Sequence, residues 1–293
     1  MILNSFILIL PILLLGAGGF LLTKLYHISQ DTLVKVIVDF LMPMLIFHAL
    51  CTSTIDAGMM IDLAGVTSLT LLFLFIPSLI YCFVTGMDRR EFVPPVIFMN
   101  SGFFGIPLMK LWGGMAAMNT VVIFDQIQTL YIFTLGIMII TGGFSIKGGR
   151  EMVKSPILWA VVAGFLFRNL GLHLPHTVLE TLEFGGNAAP PLAALTLGVV
   201  VGETRIQFNL HLLAAVLLRT VGGFFAGLAA CWIFGLDGMP RTIVIVASSL
   251  PSAVFTSVLP LRYGVKSDFS STMVAGTTIL SVITVPLAFL FAG

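Results

Sequence analysis

Long apolar runs, separated by short polar stretches, make up most of this chain of 293 residues. Lipid hydrocarbon offers no partner to a free backbone N–H or C=O group, so each run that crosses a membrane is predicted to be a helix of about 20 residues. The pattern predicts ten spans, of which the sixth is short and the fourth and ninth are interrupted. Their expected ranges are 2–22, 31–51, 63–85, 92–111, 118–140, 156–170, 178–201, 208–233, 240–260 and 269–291.

Composition agrees with a polytopic membrane protein and argues against several other classes. Hydrophobic residues make up 58% of the chain and charged residues 9%, against about 25% charged residues in a soluble domain. The net charge of +1 gives no sign of a nucleic-acid partner. The three cysteines lack the paired spacing of a disulfide framework or a thiolate metal site. We therefore expect a lipid bilayer around the chain, and no nucleic acid, cofactor or metal bound to it.

The lysines and arginines predict how the spans are oriented. Of the 14 such residues, ten lie in or beside odd-numbered loops, three lie near even-numbered loops, and Arg219 lies inside a span. Cytoplasmic loops carry an excess of positive charge, so the odd-numbered loops are predicted to be cytoplasmic. The expected location is the inner (cytoplasmic) membrane of the cell, with both termini outside.

A Gly-rich, basic segment divides the chain into two similar halves. The expected units are a first five-helix repeat at 1–141, a cytoplasmic connecting loop at 142–155 and a second five-helix repeat at 156–293. Because five is an odd number, the second half begins on the opposite side of the membrane from the first. The pattern therefore predicts an inverted repeat, which is a common architecture among transporters.

Prolines recur at matching places in the two halves. Pro43 in the second span is matched by Pro190 and Pro191 in the seventh, with an offset near 147. Residues 100–107 of the fourth span are matched by residues 248–252 of the ninth at a similar offset. Proline removes a backbone donor and clashes with the preceding turn, so these positions predict helix breaks.

The breaks in the fourth and ninth spans predict a binding site for an anion. Gly102, Gly105 and Pro107 weaken the fourth helix, and Pro251 interrupts the ninth. Freed backbone groups are tolerated only in a protein-lined cavity, and the N-terminus of a half-helix carries partial positive charge. The side chains expected to add hydrogen-bonding groups to this site are Asn100, Ser101, Ser248, Ser249 and Ser252.

Three charged residues inside spans are candidates for coupling to an ion. Asp125 lies about seven residues into the fifth span, and Asp39 lies one turn before Pro43. Each is interpreted either as a proton-coupling carboxylate or as a structural carboxylate that bonds to a helix terminus or a hydroxyl. Arg219 is expected to pair with Asp125, with bidentate binding of a substrate carboxylate as the alternative.

Four segments resemble the auxin efflux carrier family, and specifically its bacterial members, which are related to the PIN-type plant carriers. The segments are residues 100–108, 185–198, 250–265 and 280–286, and their order extends over nearly the whole chain. The resemblance implies an all-α membrane protein with ten helices in two inverted five-helix repeats, in which helices 4 and 9 are broken and cross at the substrate site. It also implies elevator-type movement against a scaffold of helices 1, 2, 6 and 7, through which such carriers form homodimers.

The resemblance implies a small organic anion as the substrate. Plant relatives carry indole-acetate, and bacterial relatives are associated with dicarboxylates such as malate and malonate. Asn100 matches a substrate-contacting Asn of the family, whereas Ser248 and Ser249 replace the Asn that precedes the second proline in the plant carriers. That departure argues against auxin as the substrate.

The function favoured by these observations is secondary transport of a small mono- or dicarboxylate, linked to protons through Asp125 or Asp39. Two alternatives stay open: a sodium-coupled organic-anion symporter of similar fold, and a membrane sensor that transports nothing. A membrane-embedded enzyme is not favoured, because the sequence has no His-Glu-x-x-His motif and no G-x-S-x-G motif. The sequence also lacks a Gly-rich phosphate loop of the kind that binds ATP.

Overall fold

A computed structural model describes residues 2–52, 55–143 and 153–292, without the side chains of residues 2–6, 8, 57, 261 and 262. Within these ranges every regular element is a helix. A kink at Gly113 and Gly114, where Gly114 has a φ of 65°, separates two of them. The helices are α1 (Ile2–Leu25), α2 (Gln30–Cys51), α3 (Ala57–Thr85), α4 (Arg89–Ile97), α5 (101–112), α6 (115–141), α7 (Pro156–Asn169), α8 (His176–Gly186), α9 (Ala189–Glu203), α10 (Leu210–Phe234), α11 (Gly238–Ser248), α12 (Phe255–Arg262) and α13 (Asp268–Ala292).

Six stretches of the described residues are long and apolar enough to cross a membrane. They are Gln30–Cys51, Gly58–Thr85, Ser101–Thr141, His176–Glu203, Leu210–Phe234 and Asp268–Ala292. The sequence predicts ten spans because it also counts the first helix, the short α7, and the two spans that are divided into α4 with α5 and α11 with α12. The structure is that of a multi-pass, all-helical membrane protein.

The two halves of the chain end in the same order of helices. The segment that joins them includes residues 144–152, which lie outside the described residues. Lys147 and Arg150 of the predicted connecting loop are among these residues. Before this segment, the broken helix α4–α5 is followed by the long α6, and after it the broken helix α11–α12 is followed by the long α13. In the described residues, each half therefore contains a broken helix with a long helix directly after it.

Two prolines follow π-helical turns rather than breaks. Pro43 comes just after the turn Ile37–Leu41, and Pro107 comes just after the turn Ser101–Gly105. Proline cannot donate to the carbonyl four residues earlier, and the wider turn accommodates this loss. The prediction that Pro107 breaks the fourth span is therefore corrected: the break lies at 98–100, and Pro107 stands in the first turn of regular α-helix beyond it.

The seventh span is also divided. Pro190 and Pro191 stand in the first turn of α9, where a missing N–H removes no helical hydrogen bond. The preceding helix α8 ends at Gly186, and a turn at Asn187 and Ala188 joins the two.

Helices α1 and α9 pack with their backbones in contact. A Cβ atom at Gly198 would overlap the carbonyl oxygen of Gly16, and a Cβ atom at Gly19 would overlap that of Leu195. Small residues permit such close approach in a membrane, where packing rather than exclusion of water drives association. Glycine is thus required at this interface.

Helix α2 is held between α7 and α8 in a similar way. A Cβ atom at Gly164 of α7 would lie 2.8 Å from Cβ of Leu50, and one at Gly186 of α8 would lie 2.8 Å from the backbone N of Leu45. We call α1, α2, α7, α8 and α9 the panel group, and α3–α6 with α10–α13 the crossing group. The broken helices belong to the crossing group.

Gly198→Ala is expected to lower the thermal stability of the purified protein, because the added methyl group meets the backbone of α1. Overpacking of this kind costs about 1–3 kcal/mol. Gly18→Ala is the matched control, since nothing lies within 4 Å of the position of its Cβ atom. Thermal unfolding in detergent, followed by tryptophan fluorescence, measures both. Equal melting temperatures for the two variants would contradict the close packing of α1 and α9.

Candidate functional site

The two broken helices cross at their breaks. The chain is non-helical between α4 and α5 and again between α11 and α12. The N–H of Asn100 donates to the C=O of Pro251 (2.8 Å), and the N–H of Ala253 donates to the C=O of Phe98 (3.0 Å). The two extended segments thus run antiparallel and bond to each other as two short strands would.

Met99 and Ser252 face each other at the centre of the crossing, and each is held by the long helix of its own half. Gln128 of α6 accepts from the N–H of Met99 (2.9 Å) and donates to its C=O (2.7 Å). Thr277 of α13 accepts from the N–H of Ser252 (3.0 Å). The hydroxyl of Ser252 donates to the C=O of Pro95 (2.6 Å). These bonds replace the helical bonds that the breaks remove.

Sequence reasoning did not identify Gln128 or Thr277 as site residues. Gln128 does carry a signal, because it lies three residues after Asp125 on the same face of an apolar helix, where a buried amide needs partners. Thr277 carries none. A threonine in an apolar helix usually bonds to its own backbone, as Thr277 also does to Met273 (2.5 Å).

Asp125 lies beside the first turn of α5 and is 7% exposed. The hydroxyl of Ser101 donates to its Oδ1 (2.7 Å), and the amide of Gln126 donates to its Oδ2 (3.1 Å). A Cβ atom at Gly102 would lie 3.2 Å from Oδ1, so glycine lets the carboxylate approach the start of α5. Ser101 also accepts from Nε2 of Gln128 (3.0 Å), which connects the carboxylate to the crossing.

A small cavity lies between Asp125 and the crossing. Its volume is about 20 Å³, which is room for one water-sized molecule. The residues that line it include Val38, Met42, Asn100, Gly102, Asp125, Gln128, Thr129, Ile157, Ala253, Val254 and Phe255. Since α2 and α7 contribute residues as well as the broken helices, the cavity lies at the boundary between the panel group and the crossing group.

Hydrogen-bond donors converge on this cavity. Asn100 is 2% exposed, and its Oδ1 accepts from the N–H of Phe103 (3.2 Å). Its Nδ2 has no hydrogen-bond partner among the described residues. The first turns of α5 and α12 also line the cavity, and the N-terminal end of a helix carries partial positive charge. The arrangement suits the oxygen atoms of an anion.

A wider cavity of about 370 Å³ lies next to the small one, at the ends of α2 and α7 that adjoin odd-numbered loops. The two cavities share Val38 and Phe255. Asp39 and Lys35 of α2 line the wider cavity, and Lys35 forms an ion pair with Asp31 (2.6 Å). Asp39 therefore lies along a route to the crossing and not at the crossing itself.

The predicted serines at 248 and 249 do not line the small cavity. They end α11, where Ser249 bonds to the backbone of its own helix (2.7 Å) and Ser248 packs against Gly227 of α10. The predicted match of Asn100 with Ser248 is corrected by the crossing. Asn100 and Ala253 occupy equivalent positions there, because each donates its N–H to the opposite segment.

Three other predicted residues support the site from outside the small cavity. Ser101 bonds to Asp125, and Ser252 bonds across the crossing. Gly105 packs on Leu250, where a Cβ atom would lie 2.9 Å from Cδ1. These residues hold the two broken helices in register.

Arg219 is fully buried in α10 and does not pair with Asp125, which corrects the ion pair expected from sequence. Its Nη1 donates to the C=O of Val96 (2.7 Å), and its Nη2 donates to the C=O of Ser248. Arg219 thus sits at the C-terminal ends of α4 and α11, whereas Asp125 sits at the N-terminal end of α5.

Metal-binding chemistry is not evident in the described part of the chain. No three His, Cys, Asp or Glu side chains there cluster as metal ligands would. The cysteines Cys51, Cys82 and Cys231 are free thiols. Among the described residues, the concentration of buried polar groups at the crossing is the strongest candidate for a binding site.

Comparison with known proteins shows that the chain is a member of a transporter family. A family model described as membrane transport protein matches residues 4–144 and, a second time, residues 143–289. The chain belongs to the membrane transport protein family. This match confirms the resemblance to the auxin efflux carriers. Because the family is one of transporters, the prediction that the protein is not an enzyme is also confirmed.

Two archaeal relatives in this family are named as transporters. An uncharacterized transporter of Methanothermobacter thermautotrophicus is 26% identical over 95% of each chain. An uncharacterized transporter of Methanocaldococcus jannaschii is 22% identical over 64% of this chain and 63% of the relative. The first similarity extends over both halves of the membrane transport protein.

Gln128→Leu is expected to destabilise the protein, because it leaves the N–H and C=O of Met99 without partners in an apolar region. Each unsatisfied group costs about 1–3 kcal/mol. Thr134→Val on the same helix is the control, since Thr134 is exposed and bonds only to the backbone of its own helix (2.7 Å). Thermal unfolding in detergent should show a clear loss for the first variant alone. If both variants melted like wild type, Gln128 would not be holding the crossing.

Proposed function

We propose that the protein is a secondary transporter of a small organic anion, a mono- or dicarboxylate such as malate or malonate. The observation that carries the proposal is the convergence of two helix N-termini and the unpartnered Nδ2 of Asn100 on a cavity beside the buried Asp125. Backbone and side-chain donors of this kind bind carboxylates. The relatives named as transporters support the same class of function.

The proposed topology is ten transmembrane helices in two inverted five-helix repeats, at 1–141 and 156–293. The family model matches once in each half, and each half has one broken helix followed by a long one. A two-fold relation between the halves also explains the reciprocal bonds of Asn100 and Ala253. The positive charges favour cytoplasmic odd-numbered loops and external termini in the inner (cytoplasmic) membrane.

The proposed mechanism is alternating access of the elevator type. The small cavity lies between the panel group and the crossing group, and the wider cavity reaches it from one side. In this mechanism the crossing group moves past the panel group and carries the anion with it. The panel group, which includes helices 1, 2, 6 and 7 of the ten, would form a homodimer and remain fixed.

Asp125 is the proposed proton-coupling residue. When it is ionised, its negative charge lies beside the cavity in a region of low dielectric constant, where like charges repel strongly. Binding of an anion there favours protonated Asp125, so the anion and a proton would move together. Asp39 lines the wider cavity and Arg219 bonds to backbone groups, so neither stands as close to the proposed anion.

Uptake of labelled malonate and malate into proteoliposomes tests the proposed function. Wild type should show saturable uptake of at least one acid, and Asn100→Ala should reduce its initial rate about tenfold, as expected for the loss of one hydrogen bond to a charged group. Asn119→Ala is the control, because the Oδ1 of Asn119 is also unpartnered among the described residues, yet Asn119 does not line the small cavity.

The gradient imposed on the vesicles separates the alternatives. Uptake that responds to sodium and not to protons would favour a sodium-coupled symporter. No uptake of either acid under any gradient would count against carboxylate transport and favour a sensor. Full uptake by Asn100→Ala would move the site away from the crossing.

Asp125→Asn is expected to uncouple transport from protons. The amide has the same shape but does not exchange a proton, so accumulation should no longer respond to an imposed pH gradient, while exchange of internal for external anion continues. Asp39→Asn is the comparison and should keep the gradient response. The reverse result, in which only Asp39→Asn loses the response, would assign coupling to Asp39.

A further inference from the structure

The breaks that form the proposed anion site also release carbonyl groups at the ends of α4 and α11. In a continuous helix the C=O of Val96 would accept from the N–H of Asn100, but that N–H donates across the crossing instead. The C=O of Ser248 is released in the same way, because the N–H of Ser252 donates to a side chain of α13. The carbonyl groups of Val96 and Ser248, one from each half, therefore have no helical donor at the C-terminal ends of α4 and α11.

Arg219 binds both of the released carbonyl groups. Its two terminal nitrogens donate to Val96 and Ser248, one from each half of the chain. The side chain is fully buried, and Gly223 leaves room for it, because a Cβ atom there would overlap the carbonyl of Ser248 and lie 2.5 Å from Nη2 of Arg219. One guanidinium group thus joins the C-terminal ends of α4 and α11.

The charge of this buried guanidinium is offset by helix ends and not by a carboxylate. Arg219 forms no ion pair with the described carboxylates. The C-terminal end of a helix carries a partial charge of roughly −0.5, so two such ends offset about one positive charge. The two carbonyl groups therefore bind both terminal nitrogens of the buried guanidinium, whose Nε has no hydrogen-bond partner among the described residues.

We propose that Arg219 is a built-in cation, a positioning residue that joins the C-terminal ends of α4 and α11 and neutralises their partial charge. Without Arg219, the carbonyl groups at these two ends would bind a dissolved cation. Its effect on the anion site rests on the proposed function. Two positive N-terminal ends and two negative C-terminal ends meet at the crossing, and their partial charges sum to roughly zero. With Arg219 charged and Asp125 protonated, the net charge of the crossing is therefore about +1. That charge matches a single carboxylate group.

The direct test is the thermal unfolding of the full chain in detergent. Arg219→Met has similar length but does not bind carbonyl groups, and it should melt roughly 10 °C below wild type. Arg219→Lys keeps the positive charge and should recover at least about half of that difference. Equal melting temperatures for the Met and Lys variants would overturn the proposal, because the charge would then have no effect.

Arg241→Met is the matched control for losing an arginine–carbonyl bond. Arg241 donates to the C=O of Ala292 (2.6 Å), which is not part of the crossing. This variant should lose less than about half as much in melting temperature as Arg219→Met. An equal loss in both would show that Arg219 has no special role at the helix ends.

Chemical rescue provides a second test, because a residue with only a general structural role would not be replaced by a dissolved cation. Arg219→Ala leaves a space beside two carbonyl groups that a small planar cation fits. Millimolar guanidinium chloride should raise the melting temperature of Arg219→Ala but not that of wild type or Arg241→Ala. Tetramethylammonium chloride at the same ionic strength should have no effect. If Arg219→Ala folds and guanidinium does not stabilise it, the proposal of a built-in cation is overturned. If Arg219→Ala does not fold, the melting temperatures of Arg219→Met and Arg219→Lys decide.

Transport kinetics test the consequence for the anion site. With a monocarboxylate that wild type transports, Arg219→Met should raise KM about tenfold, whereas Arg219→Lys and Arg241→Met should stay within about threefold of wild type. An unchanged KM in Arg219→Met would contradict an electrostatic effect of Arg219 on the anion site. If wild type transports no carboxylate at all, the proposed function fails, while the melting and rescue results still test the built-in cation on their own.

Discussion

Buried backbone groups must be hydrogen-bonded, and at the crossing this constraint determines the neighbouring helices. Each break releases N–H and C=O groups in an apolar region, where an unpaired group costs about 1–3 kcal/mol or more. Gln128, Thr277 and Arg219 satisfy five such groups, and each comes from a different long helix. The positions of α6, α13 and α10 around the broken helices follow from this requirement, because a shift of any one leaves backbone groups without partners.

The same bonds separate the helix ends by the sign of their partial charge. The C-terminal ends of α4 and α11 are neutralised by Arg219. The N-terminal ends of α5 and α12 line the small cavity, beside the unpartnered amide of Asn100. Because the negative ends already have a cation, the positive ends remain for a ligand, and a negatively charged ligand is the one that they attract. The proposed preference for an anion would therefore be a consequence of how the crossing is stabilised.

The sequence predicts the apolar helices, the two interrupted spans and Asn100 as a cavity residue, because these follow from local rules about hydrophobic runs, proline and glycine. It does not predict the partner of Arg219. Matching a buried charge with the nearest opposite side-chain charge favours Asp125, yet the guanidinium binds carbonyl groups that only the break makes available. Nor does it predict which way Ser248 faces, because the end of α11 is set by its packing against Gly227.

The distribution of bonds within and between the helix groups bears on how the protein moves. The crossing group is held together internally by buried bonds such as those of Gln128 and Arg219, and the panel group by backbone contacts at Gly198. Between the groups lie the two cavities, the exposed bond of Lys110 to Asn187 (2.6 Å), and the contacts of Arg168 of α7 with the C=O of Ile55 and with the Sδ of Met60 in α3. Because the buried bonds that hold the crossing lie within the crossing group and few polar bonds of the described residues join it to the panel group, the proposed movement would carry the anion with its binding groups unchanged.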